Sequence, residues 1–90
     1  MDDAPVGLTW DEVKERFPVG AAVEGTITTV VPYGVWVDLG MRFQGLVLAP
    51  DAGMQKGEQT SDCFQQGQVI SANVLWWNDE QQVIRLTRRA

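Results

Sequence analysis

The chain has 90 residues, 44% of them apolar, with one cysteine, no histidine and a formal charge of −5. That is enough for one small core and no more. Without histidine no His-based catalytic triad can form, Cys63 alone cannot make an internal disulfide, and an acidic balance argues against a protein that coats nucleic acid by phosphate neutralisation.

The acidity is uneven. Residues 1–24 carry six acids against Lys14 and Arg16, whereas the remainder is nearly neutral and gathers Arg85, Arg88 and Arg89 near its end. A local basic patch is therefore possible where a global one is not. No stretch of eighteen apolar residues and no basic leader before an apolar run occurs, so neither a membrane span nor a signal peptide is expected, and the chain reads as cytoplasmic.

Residues 1–8 hold two aspartates, a proline and a glycine before any periodic pattern, and are expected to be a flexible N-terminus. Thr9-Trp10-Asp11-Glu12 then fits a capping box, with Leu8 and Val13 placed for a hydrophobic staple. Trp10, Val13 and Phe17 share one face at i, i+3 and i+7, and Pro18 stops the run. A short helix over 9–17 follows, too short to form except by packing on the rest of the chain.

From residue 18 to 89 the pattern is that of strands, at 22–31, 34–39, 45–49, 68–77 and 82–88, giving an all-β domain after one helix. Within 34–39, Val35, Val37 and Leu39 alternate with Trp36 and Asp38, so a core on one side turns Trp36 outward. The short Gly40–Gln44 link implies an antiparallel hairpin, and Asn78-Asp79-Glu80-Gln81 supplies turn residues between the last two strands. Residues 50–67, with Pro50, Gly53, Gly57 and Gly67, read as a long loop with room for a turn or two of helix, of the kind often found where something binds.

Trp76 and Trp77 are adjacent, so one faces the core and the other lies under the helix or in solvent; an exposed Trp76 would extend an apolar patch. Asp79-Glu80 is the closest approach to a carboxylate pair and is expected to be a solvated turn tip, with no partner for a metal site. No phosphate-cradling glycine loop is visible, since Gly34, Gly40 and Gly45 fit bends and turns. No cofactor, metal or catalytic residue is indicated, and the chain is not expected to be an enzyme.

The succession Gly20, Val23-Glu24-Gly25, Tyr33-Gly34-Val35-Trp36-Val37-Asp38-Leu39-Gly40, Gly45-Leu46-Val47-Leu48, Gly67-Gln68-Val69-Ile70, Val74-Leu75 and Val83-Ile84-Arg85-Leu86-Thr87 resembles the S1 RNA-binding domain family. The likeness covers about residues 18–89. It implies a five-stranded antiparallel OB-fold barrel of Greek-key type, a class that binds oligonucleotides on its second and third strands and adjoining loops. The family's ligand face carries two aromatics, a histidine, an aspartate and an arginine. The aromatics fall on Tyr33 and Trp36, the histidine on Leu48, the aspartate on Asn78 and the arginine on Val83. Three of these five positions depart from the pattern toward a more apolar face. Arg85, two residues beyond Val83 and so on the same face of its strand, and Arg42, in the turn between the second and third strands, are candidates to replace the lost cation.

Two functions follow. The resemblance implies a non-catalytic module for single-stranded RNA, with bases on Tyr33 and Trp36, phosphates near Arg42 and Arg85, weak salt-dependent affinity and, by analogy, a place in translation. The alternative is a protein-protein interaction module using the unusually apolar face.

Overall fold

The computed structural model describes residues 9–40 and 43–88. Its elements are α1 (Trp10–Arg16), β1 (Ala22–Val31), β2 (Gly34–Asp38), β3 (Gln44–Leu48), a 3-10 turn at Ala49–Asp51, α2 (Thr60–Cys63), β4 (Val69–Asn78) and β5 (Val83–Thr87). The strands fall within two residues of those expected from the alternation of apolar and polar positions.

They close a barrel in the order β1-β2-β3-β5-β4. β1 is long enough to serve two neighbours, pairing through Ala22–Thr26 with β4 and through Thr26–Val31 with β2. The expectation of a wholly antiparallel sheet needs correction, because β3 and β5 run parallel. The reason is topological. Five strands in a closed ring cannot all oppose both neighbours, so one pairing must be parallel, and it falls where the 49–68 connection has carried the chain across the barrel end.

Val23, Ile27, Val35, Val37, Val47, Ile70, Ala72, Val74, Ile84 and Leu86 fill the interior, mostly β-branched residues at alternate strand positions. Residues 50–67 are a structured cap: Ala52, Thr60 and Phe64 are buried, and the Thr60 hydroxyl donates to the Val31 carbonyl. Burial also raises the pKa of the Cys63 thiol, which makes it a poor nucleophile.

The helix closes the other flank. The Thr9 hydroxyl accepts from the Glu12 N–H and the Glu12 carboxylate accepts from the Thr9 N–H, a reciprocal capping box. The Leu8 half of the staple lies outside the described residues. Val13 is fully buried in the barrel's core, a contribution of roughly 1.5–3 kcal/mol for a side chain of this kind. Trp10 meets Phe43 edge to face at 5.2 Å, and the Trp77 indole N–H donates to the Phe17 carbonyl at 2.8 Å.

Asp79 is exposed, as its place in a turn suggests, but it is not left to solvent alone. Its Oδ1 accepts from the Trp10 indole N–H at 2.7 Å and from the Lys14 ammonium at 2.8 Å, joining the last turn of the sheet to the helix. Those two donors, Lys14 first, hold the Asp79 carboxyl below its usual value, and the same bond raises that of Lys14.

A carboxylate whose pKa is lower in the folded than in the unfolded chain stabilises the fold above the unfolded value, about 4, and loses that contribution as pH falls through the folded one. The raised Lys14 does the reverse, contributing fully below its unfolded value and failing as pH rises through the folded one. Thermal melts followed by tryptophan fluorescence should show the helix loosening below about pH 4. Asp79→Asn should lower the melting temperature at neutral pH and flatten that acid limb.

Candidate nucleic-acid interface

The interface begins at a two-residue hairpin turn, Pro32-Tyr33, since Val31 and Gly34 are paired across it. A Cβ on Gly34 would stand 2.2 Å from the Val47 carbonyl oxygen and 2.9 Å from the Leu48 Cα, so only glycine lets β2 start flush against β3. From there the alternation expected of β2 is observed, with Val35 and Val37 in the core and Trp36 on the outside. The Trp36 indole N–H donates to the Tyr33 hydroxyl at 3.2 Å, which joins the two rings edge to edge. Tyr33 remains 53% exposed, and its backbone carbonyl is held by the Ala49 N–H at 2.8 Å.

Strand register then decides which of the other candidates lie nearby. Trp36 is the pairing partner of Leu46 on β3, Leu46 of Arg85 on β5, and Arg85 of Trp76 on β4. Flanking residues on each strand (Val35 and Val37, Val47, Ile84 and Leu86, Trp77) face or pack against the core, so these four form one row across the outer surface. Leu48 sits opposite Gly34, one step along the strand from this row and beside the Tyr33 turn. Val83 and Asn78 pair with each other one step the other way, on the side of Asp38 and Gln44.

The structure therefore places Trp36 and Arg85 on one row, with Leu48 and the Tyr33 turn one step to one side of it, and it leaves Asn78 and Val83 about 13 Å from Leu48 along the strand direction. Val83 is buried, and Asn78 closes its own turn, its Oδ1 accepting from the Gln81 N–H at 3.1 Å. Arg42 lies outside the described residues.

Arg85 is partly engaged. An Nη stands 3.7 Å from an Asp51 carboxylate oxygen, too far for a hydrogen bond, and the guanidinium lies over the Trp76 ring at 5.7 Å. Its Nε is buried without a hydrogen-bond acceptor. Trp76, expected to extend an apolar patch if exposed, belongs to this surface, and so does Asp51, which the sequence did not single out. Arg88 lies over the Phe64 ring at 5.4 Å, and Arg89 is outside the described residues. Among the described residues no group of three His, Cys, Asp or Glu comes together that could hold a metal ion.

Barrel topology and the aromatic face define the class, and comparison with known proteins agrees with it. A family model described as the S1 RNA binding domain matches residues 16–89, and the chain belongs to that family. It is 30% identical over 78 residues to the small ribosomal subunit protein bS1 of Chlamydia muridarum, the match covering 86% of this chain and 14% of that protein. It is 31% identical over 78 residues to the 4-hydroxy-3-methylbut-2-enyl diphosphate reductase of Fusobacterium nucleatum, covering 87% of this chain and 9% of the reductase. The solution structure of GSP13 from Bacillus subtilis superposes with a TM-score of 0.71 at 27% identity, over 79% of this chain and 55% of that one. The chain thus spans a seventh or less of the curated relatives named.

Because the Tyr33–Trp36 platform depends on the close β2–β3 approach, Gly34→Ala should cost about 1–3 kcal/mol of stability. It should also broaden the Trp36 indole resonance; denaturant unfolding and a two-dimensional NMR spectrum check both.

Proposed function

We propose that this chain is a non-catalytic module that binds single-stranded RNA on the outer face of β2 and β3, with bases stacked on Tyr33 and Trp36 and phosphates near Arg85 and Arg42. The observation that carries this reading is the Trp36–Tyr33 hydrogen bond: it fixes two aromatic rings at the surface, where a folded core has no use for them. Stacking on such rings tolerates any base, because every base has a π-face. Family membership and the likeness to a ribosomal protein support RNA as the ligand and translation as the setting. The reading assigns binding to residues 18–89, with the helix within 9–17 as a support docked on the barrel. Among the described residues no helix is long and apolar enough to cross a membrane.

One observation favours a protein ligand instead. Leu48 stands half-buried on the outer face beside the Tyr33 turn, an apolar group where a nucleic-acid surface has more use for a polar one, and depletion of charge is the mark of a protein-binding patch.

Backbone and indole NMR shifts recorded while a short oligoribonucleotide is added at low salt separate the two. Under the RNA reading the shifts concentrate at Tyr33, Trp36 and Arg85, and Trp36→Ala costs roughly 1–3 kcal/mol of binding. A silent spectrum at low salt overturns that reading and leaves the protein-binding one.

Asp51→Asn removes the carboxylate beside Arg85. It should tighten RNA binding at low salt and steepen the salt dependence by about 0.7 in log–log slope for one added phosphate contact, measured by titration at several salt concentrations.

A further inference from the structure

Apart from Tyr33, the aromatic side chain most open to solvent among the described residues is Trp76, at 44%. The fold does not require it there. Its neighbour Trp77 packs against the core and bonds the helix, so the barrel is closed without Trp76. A bulge between Val74 and Trp76 turns both Leu75 and Trp76 outward, and Leu75 is itself 38% exposed. The ring thus stands at the far end of the row that begins at Trp36, with Leu46 and the cationic Arg85 between them.

We propose that Trp76, with Arg85, is a second base-stacking station for the same RNA strand, so that the strand crosses β2, β3, β5 and β4 instead of ending at the Tyr33–Trp36 pair. This rests on the RNA reading above and adds its direction and length. Three strand spacings separate Trp36 from Trp76, about 14 Å. A stacked strand advances 3.4 Å per nucleotide, so about four stacked steps span that distance, and fewer where the chain is extended. The intervening phosphates then pass over Arg85. Its guanidinium can keep its face on Trp76 while its edge donates to a phosphate oxygen, a charge-assisted contact stronger than the 3.7 Å approach of Asp51. Leu46 lies beneath this path and offers an apolar floor between the two aromatic stations.

The test compares a uridine dinucleotide, which can occupy the Tyr33–Trp36 pair but cannot reach 14 Å, with a heptauridylate. Indole N–H resonances and fluorescence titrations of the full chain give the readout. The dinucleotide should shift the Trp36 indole and leave that of Trp76 in place, and the heptanucleotide should shift both. Trp76→Ala should bind the heptanucleotide about tenfold more weakly and the dinucleotide as the wild type does. Trp76→Phe, which keeps a ring, should recover most of the loss. If Trp36 responds to both oligonucleotides while Trp76 responds to neither and Trp76→Ala binds the heptanucleotide normally, the second station is wrong and the RNA reading stands. If neither oligonucleotide moves the Trp36 indole, the RNA reading fails and the second station fails with it.

Discussion

A strand has only two faces, and one inserted residue exchanges them for everything downstream. This parity constraint governs the whole surface of the barrel. In β1 the residue inserted between Ile27 and Thr29 lets Ile27 and Val30, three positions apart, both turn inward. In β4 the insertion after Val74 does the same for Val74 and Trp77. Uninterrupted alternation would have put Trp76 in the core and Trp77 outside, stripping the helix of its indole anchor and the outer row of its last ring. The bulges also bend the strands, which a five-stranded sheet needs in order to close.

Closure sets the direction of one further pairing. With an odd number of strands one neighbour pair must run parallel, and that pair, β3 and β5, is what brings Arg85 level with Leu46 and so with Trp36. The cation on the row is thus set by the β3–β5 register, which places Arg85, and not Val83, level with Leu46.

The acidity of the chain fits this arrangement. Most of it belongs to residues 1–24, and there Asp11 and Glu12 lie in the first turn of the helix, where they suit its dipole. Asp79, the acid nearest the helix from the barrel side, is neutralised by Lys14 and by an indole N–H. The ligand face is left with Arg85, moderated by Asp51, and with aromatic surface. Under the proposed RNA reading, recognition there would rest on stacking, with phosphate attraction secondary, which is the balance a net-negative RNA-binding module can sustain.

The elements of the fold were legible in the sequence because they depend on local, periodic burial: the capping box at Thr9–Glu12, five alternating strands, and Trp36 opposed to Val35 and Val37. The two aromatics of the candidate site were legible for the same reason, since Tyr33 sits in a turn and Trp36 one residue from two core valines. A pair of threonines, Thr28 and Thr29, between Ile27 and Val30 is a visible sign of the first bulge. No such sign marks the second, where Leu75 and Trp76 are as apolar as the residues that belong inside. Which tryptophan faces solvent, which residue opposes Arg85, and that Asp79 holds the helix are all settled by contacts between segments far apart in the chain. The sequence by itself determined the strands and their alternation, because those follow from the spacing of neighbours. Only the tertiary structure decided parity, register and the parallel pair, because these follow from closing the barrel.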